Sequence, residues 1–173
     1  MLLEGLGIDW QRDHNFIDTP QRVAKFYAEF FGKPVQEPKW FAEKHNQMIV
    51  LRHHQAWTLC PHHLLPVELD ISAAYIPSGN VLGISKMVRL MDRSLDRPRT
   101  QEQITDMIAD ALMKGQVRGA ACRTAGKHGC MLIRGVRTRS DVVMTALRGI
   151  FSPDMGPKFR PDIKQEFFDL VRS

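Results

Sequence analysis

The run VELDISAAYIP, Val67 to Pro77, constrains the fold more than any other stretch of the chain. Leu69, Ile71, Ala73 and Tyr75 fall on one side, and Glu68, Asp70 and Ser72 on the other. That period of two is the signature of a strand with one covered face. Such a strand needs partners in a sheet and a layer of other elements over its apolar side. The turn signal PSGN follows directly and leads to a short strand, VLGI.

The covering layer is predicted next in the chain. Ser85 caps a helix that runs to about Arg97 and is stopped by Pro98. Thr100 caps a second helix, with Ile104, Met107, Ile108, Ala111 and Leu112 as its buried face and Gly115 at its end. Further strands are predicted over MIVLRH from Met48, over VRGAACRTA, over CMLIRGVR and over DVVMTAL, and a closing amphipathic helix over DIKQEFFDLVRS. Upstream, DTPQRVAKFYAEFFGKP reads as a helix with Thr19 as N-cap, Pro20 at its first position, and Gly32 and Pro34 at its stop. Val23, Phe26, Tyr27, Phe30 and Phe31 make its apolar stripe, and Pro34 to Asn46 reads as a connection. The order of helix, strands, two helices, strands and helix gives an α+β fold with a mostly antiparallel sheet backed by helices. The 173 residues suit one domain, with a helical part at 1–46 and the sheet core at 47–173.

Composition narrows the setting. No apolar run approaches the roughly 18 residues that a membrane span needs, and MLLEGLGIDWQRDH lacks the basic start of a secretory signal. Three cysteines, Cys60, Cys122 and Cys130, are too few for a disulfide framework and suit a reducing cytoplasm. The net charge of +5 favours an anionic partner. The basic residues are scattered and are not interleaved with aromatics, which points away from nucleic acid and toward a small phosphorylated molecule.

The chemistry concentrates in CPHHLLP, Cys60 to Pro66. Cys60 and His63 stand three apart in a turn, close enough to grip one zinc ion. A strand starting at GKHGCMLIRGV would project His128, Cys130 and Arg134 from one face. Two arrangements follow from these residues. Two thiolates and one imidazole would leave an open fourth position, with His62 and His128 free to move protons. Alternatively, Cys60, His63, His128 and Cys130 would close a four-ligand structural site.

CPHHLLP, AYIPSGNVLGISKMVRL, QEQIT and HGCMLIRGV, with TPQRVAKFY upstream, together resemble GTP cyclohydrolase I from about Leu6 to the C-terminus. The resemblance implies the T-fold, subunits assembled into stacked rings as a homodecamer, and active sites shared between subunits. It implies hydrolysis of GTP at C8, giving formate and 7,8-dihydroneopterin triphosphate. By the same resemblance Cys60, His63 and Cys130 bind zinc, and His62 and His128 are the acid and base. Gln101 and Glu102 match the guanine-recognising pair; a carboxylate accepts hydrogen bonds from the N1 and 2-amino edge, which adenine does not offer. Ser85, Lys86, Arg89, Arg134, Arg22 and Lys25 match the triphosphate contacts, with the helix starting at Ser85 supplying backbone donors. The residues also leave room for an enzyme of the same fold acting on another purine or pterin, and for a non-catalytic domain held by zinc.

The chain departs from the family pattern in places. Pro61 stands where the family has glutamate, and AACRTAGK replaces an apolar strand that ends in an acid and a small residue, so that Ala125 takes the place of the usual glutamate. Arg123 and Gly126 weaken that strand by composition. RTRSDVVMTALRG replaces a serine- and threonine-rich run.

Overall fold

The computed structural model describes residues 2–31 and 37–172. Along the chain run α1 (Leu2–Gly5), α2 (Thr19–Ala28), β1 (Trp40–Ala42), β2 (Ile49–Leu59), β3 (Pro66–Pro77), β4 (Asn80–Leu82), α3 (Ile84–Arg93), α4 (Gln101–Met113), β5 (Val117–His128), α5 (Gly129–Leu132), β6 (Val142–Gly149), a 3-10 segment (Pro153–Lys158) and α6 (Pro161–Leu170). Four long strands form an antiparallel sheet in the order β2-β3-β5-β6, and β1 pairs with β4 in a small second sheet. This is the α+β, helix-backed antiparallel architecture expected from the sequence.

The alternation of β3 sets the two faces. Leu69, Ile71, Ala73 and Tyr75 are fully buried in a cluster with Ile104, Ile108 and Leu112 of α4 and with Met87, Leu90 and Met91 of α3. Ala74 and Ile76 point the other way, into a second cluster with Ala121, Phe151, Phe167 and Val171. Phe167 of α6 lies edge-on to Phe151 at 6.1 Å and 80°. A Phe167→Ala substitution is therefore expected to lower the unfolding free energy by about 3–5 kcal/mol, measured as a reduced urea midpoint.

Several predicted boundaries move. The helix assigned to begin at Ser85 begins at Ile84 with Gly83 as N-cap, and it ends at Arg93. Thr100 does cap α4, in a capping box with Gln103. The buried face of α4 is rotated from the predicted one: Gln101, Thr105 and Ala109 are buried with Ile104, Ile108 and Leu112, whereas Met107 is exposed. The 34–46 connection contains β1, whose Trp40 lies edge-on to Tyr75. In α2 the helix starts at Thr19, and Asp18 holds the N-cap position. No residue of α2 is buried; Tyr27 is half-buried, but Val23 and Phe26 are both 41% exposed, so this part of the apolar stripe is left largely uncovered by the described residues. The predicted stop at Gly32 and Pro34 lies outside the described residues.

CMLIRGVR is not a strand. The extended chain ends at His128, and Gly129–Leu132 makes one helical turn. A side chain at Gly129 would meet the Pro66 carbonyl at 2.8 Å, so glycine there lets the end of β5 press against the start of β3. The chain turns at that contact. His128, Cys130 and Arg134 accordingly do not share a strand face. The composition of AACRTAGK, by contrast, does not interrupt β5, which pairs continuously with β3 from Gly119 to His128.

Candidate metal centre and its pocket

The turn between β2 and β3 is closed by its own backbone. Leu64 N donates to Cys60 O at 2.8 Å, and Cys60 N donates to Leu65 O at 2.9 Å. Pro61, with its fixed φ and no N–H to satisfy, fits the first position of the helical turn between them. Leu64 then leaves with φ of 53°. The result buries Cys60 and exposes His62 and His63 on one rim.

Cys130 arrives at the same rim because His128 pairs with Val67 in the sheet register and α5 follows at once. The ligand atoms of Cys60, His63 and Cys130 lie within 4.8 Å of one another, the only such group among the described residues. Cys60 Sγ is 3.7 Å from His63 Nδ1 and 3.8 Å from His62 Nδ1, but only His63 also converges on Cys130. His128 does not belong to the group, and its Nε2 is 2.8 Å from Gln101 Oε1. The four-ligand closed arrangement is thus not the one built here.

The donor set fits a soft divalent cation. Burial and the adjacent Cys60 raise the Cys130 thiol pKa, and Arg134 only partly offsets this. A metal bound between the two sulfurs would stabilise the Cys130 thiolate. Two sulfurs and one imidazole suit zinc chemistry and would leave a coordination position open.

Cys60, His62, His63 and Cys130 line a cavity of about 270 Å3, and Gln101, Glu102 and His128 line it as well. Burial lowers the His128 pKa below its ordinary value, while the negative charge of Glu102 opposes the shift, so the surroundings favour the neutral ring. Gln101 is almost fully buried, and its Nε2 donates to Thr124 Oγ1 and Val142 O, both at 2.9 Å.

The predicted anion contacts lie elsewhere. Ser85, Lys86, Arg89, Arg134, Arg22 and Lys25 do not line this cavity. Ser85 and Arg89 sit on α3, exposed, and Lys86 beside them is half-buried. Arg22 pairs with Asp18 at 3.2 Å on α2, where Lys25 is exposed in the last turn. Arg134 follows α5 and is exposed. Sequence reasoning missed Thr58, Thr105 and Thr124. Thr58 lines the cavity with Oγ1 unpartnered among the described residues; a buried threonine on an apolar strand face gives no pattern to read.

An antiparallel α+β domain that gathers two thiols and an imidazole at one point, with two more imidazoles beside them, has the layout of a hydrolytic metal centre. The sequence profile of GTP cyclohydrolase I matches residues 1–171. GTP cyclohydrolase 1 of Rhodopirellula baltica is 36% identical over 169 residues, covering 94% of this chain and 72% of that protein. GTP cyclohydrolase 1 of Carboxydothermus hydrogenoformans is 37% identical over 166 residues, with 91% and 86% covered. GTP cyclohydrolase 1 of Streptococcus thermophilus is 36% identical over 179 residues, with 99% and 92% covered. The chain belongs to the GTP cyclohydrolase I family.

Proposed function

We propose that the protein is a zinc-dependent GTP cyclohydrolase I, converting GTP and water to 7,8-dihydroneopterin triphosphate and formate. The observation that carries this reading is the single cavity shared by the Cys60, His63 and Cys130 group, the His62 and His128 imidazoles, and the Gln101–Glu102 pair.

Each residue has a task in that reading. Glu102 accepts hydrogen bonds from the N1 and 2-amino edge of guanine and fixes the base with C8 toward the imidazoles. His62 and His128 move protons to and from the five-membered ring as water adds at C8 and the ring opens. Cys60, His63 and Cys130 would hold zinc, which when bound supplies Lewis acidity toward water near neutral pH. After formate leaves, the ribose rearranges and closes onto the freed amine as the pterin ring. The product is a precursor of folate and of reduced pterin cofactors.

The proposal extends to assembly. About 270 Å3 falls just below the roughly 300–1,000 Å3 typical of ligand pockets, enough for part of a nucleoside triphosphate. Ser85, Lys86, Arg89, Arg22 and Lys25 would reach the triphosphate from neighbouring subunits of a homodecameric ring, and Arg134 from the rim. The uncovered Val23 and Phe26 stripe of α2 supports such packing. No helix among the described residues is long and apolar enough to cross a membrane. Together with three free cysteines, this supports a cytoplasmic setting.

Formate release from GTP by the zinc-loaded protein tests the reaction. A Glu102→Gln variant should raise the KM for GTP by roughly 10- to 100-fold, the loss of a charge-assisted hydrogen-bonded pair. Binding of both zinc and GTP without formate release would end the cyclohydrolase reading.

A further inference from the structure

Beneath the pocket lies a chain of buried hydrogen bonds whose directions are all determined. Val142 O is a carbonyl and can only accept, so the Gln101 atom 2.9 Å from it is the amide nitrogen. Thr105 Oγ1 donates its one proton to Gln101 O at 2.7 Å. At its 2.8 Å contact with Thr124 Oγ1 it must therefore accept, and Thr124 is the donor. The Thr124 oxygen is then available to accept from Gln101 Nε2 at 2.9 Å. Both protons of the Gln101 amide are now committed, and its Oε1 faces His128 Nε2 at 2.8 Å.

An amide oxygen only accepts. We infer that Thr105, Thr124 and the Val142 carbonyl lock Gln101 so that His128 keeps its proton on Nε2, leaving Nδ1 as the ring nitrogen that exchanges protons with substrate. Thr105 and Thr124 are positioning residues that act through Gln101. Gly126 belongs to the same device, because a Cβ there would stand 2.4 Å from Gln101 Oε1 and 3.0 Å from Leu69 Cδ2. Gln101, Thr105 and Thr124 are each no more than 3% exposed, so water does not compete for these bonds.

The kinetic part of the test rests on the cyclohydrolase reading; the structural part does not. Neutron diffraction from deuterium-exchanged crystals of the zinc-loaded protein, grown above neutral pH, should place deuterium on His128 Nε2 and none on Nδ1. Deuterium on Nδ1, alone or with Nε2, overturns the inference. A Thr124→Val variant should lose roughly tenfold in kcat for formate release, part of what a positioned proton carrier contributes. Its KM for GTP should stay within about twofold, since no substrate contact is removed. Thr124→Ser should restore kcat, and Thr105→Val, one link further back, should repeat the loss. Unchanged kcat in both valine variants overturns the positioning role. The expected deuterium pattern in a protein that releases no formate would uphold the lock and remove only the cyclohydrolase reading.

Discussion

Cys130→Ser is expected to leave the fold intact, release the metal and reduce formate production from GTP by roughly 10^4-fold or more. The fold should survive because Cys130 sits on a four-residue helical turn at the rim of the sheet, half-buried against the edge of the cluster between β3 and α4 and not within it, and serine is nearly the same size. The metal should be lost because three ligands are the minimum on offer, and a serine hydroxyl, which does not ionise near neutral pH, replaces one of two thiolates. Lewis acidity toward water is worth several kcal/mol in such reactions, and each 1.4 kcal/mol is about tenfold in rate. The measurements are zinc content per chain, formate release, and circular dichroism as the control. A variant that kept its zinc and its rate would show that Cys130 is not a ligand. One that lost its secondary structure would show that the metal holds the fold.

The sequence made this centre legible where the signal was local. Cys60 and His63 lie within one turn, and the backbone bonds that close that turn span only Cys60 to Leu65. Thr100 and Gln103 announce the start of α4 in the same way. The alternation of β3 named the face toward α4, Leu69, Ile71, Ala73 and Tyr75, but not the cover on its other face, where Ser72, Ala74 and Ile76 are buried as well. What failed depended on contacts distant in sequence. CMLIRGVR looks like a strand until Gly129 meets the Pro66 carbonyl and the chain turns. Apolar periodicity draws the buried face of α4 through Ile104, Met107, Ile108, Ala111 and Leu112, and carries no signal for the burial of Gln101 and Thr105. Their burial is intelligible only from Thr124 and Val142, which come from two other strands. The segment AACRTAGK read as a weak strand with polar and glycine interruptions. Thr124 and Gly126 within it are the seat of the Gln101 carboxamide.

His128→Ala should lower kcat for formate release by roughly 10^2- to 10^4-fold, the range that a positioned proton carrier contributes. Zinc content and the KM for GTP should change little. This separation from the Cys130 variant follows from geometry. His128 stands outside the ligand group, bonded through Nε2 to Gln101, while Glu102 and the metal ligands hold their own positions on α4, α5 and the β2–β3 turn. Removing the ring leaves the buried Gln101 carboxamide without its Oε1 partner, at a cost of about 1–3 kcal/mol in stability. The same removal opens a space beside the pocket, so millimolar imidazole added to the variant should recover part of the lost rate while doing nothing for the Cys130 variant. Loss of zinc from His128→Ala would instead make the histidine a fourth ligand and restore the closed structural site. An unchanged rate would assign the proton transfers to His62, the remaining imidazole of the pocket outside the ligand group.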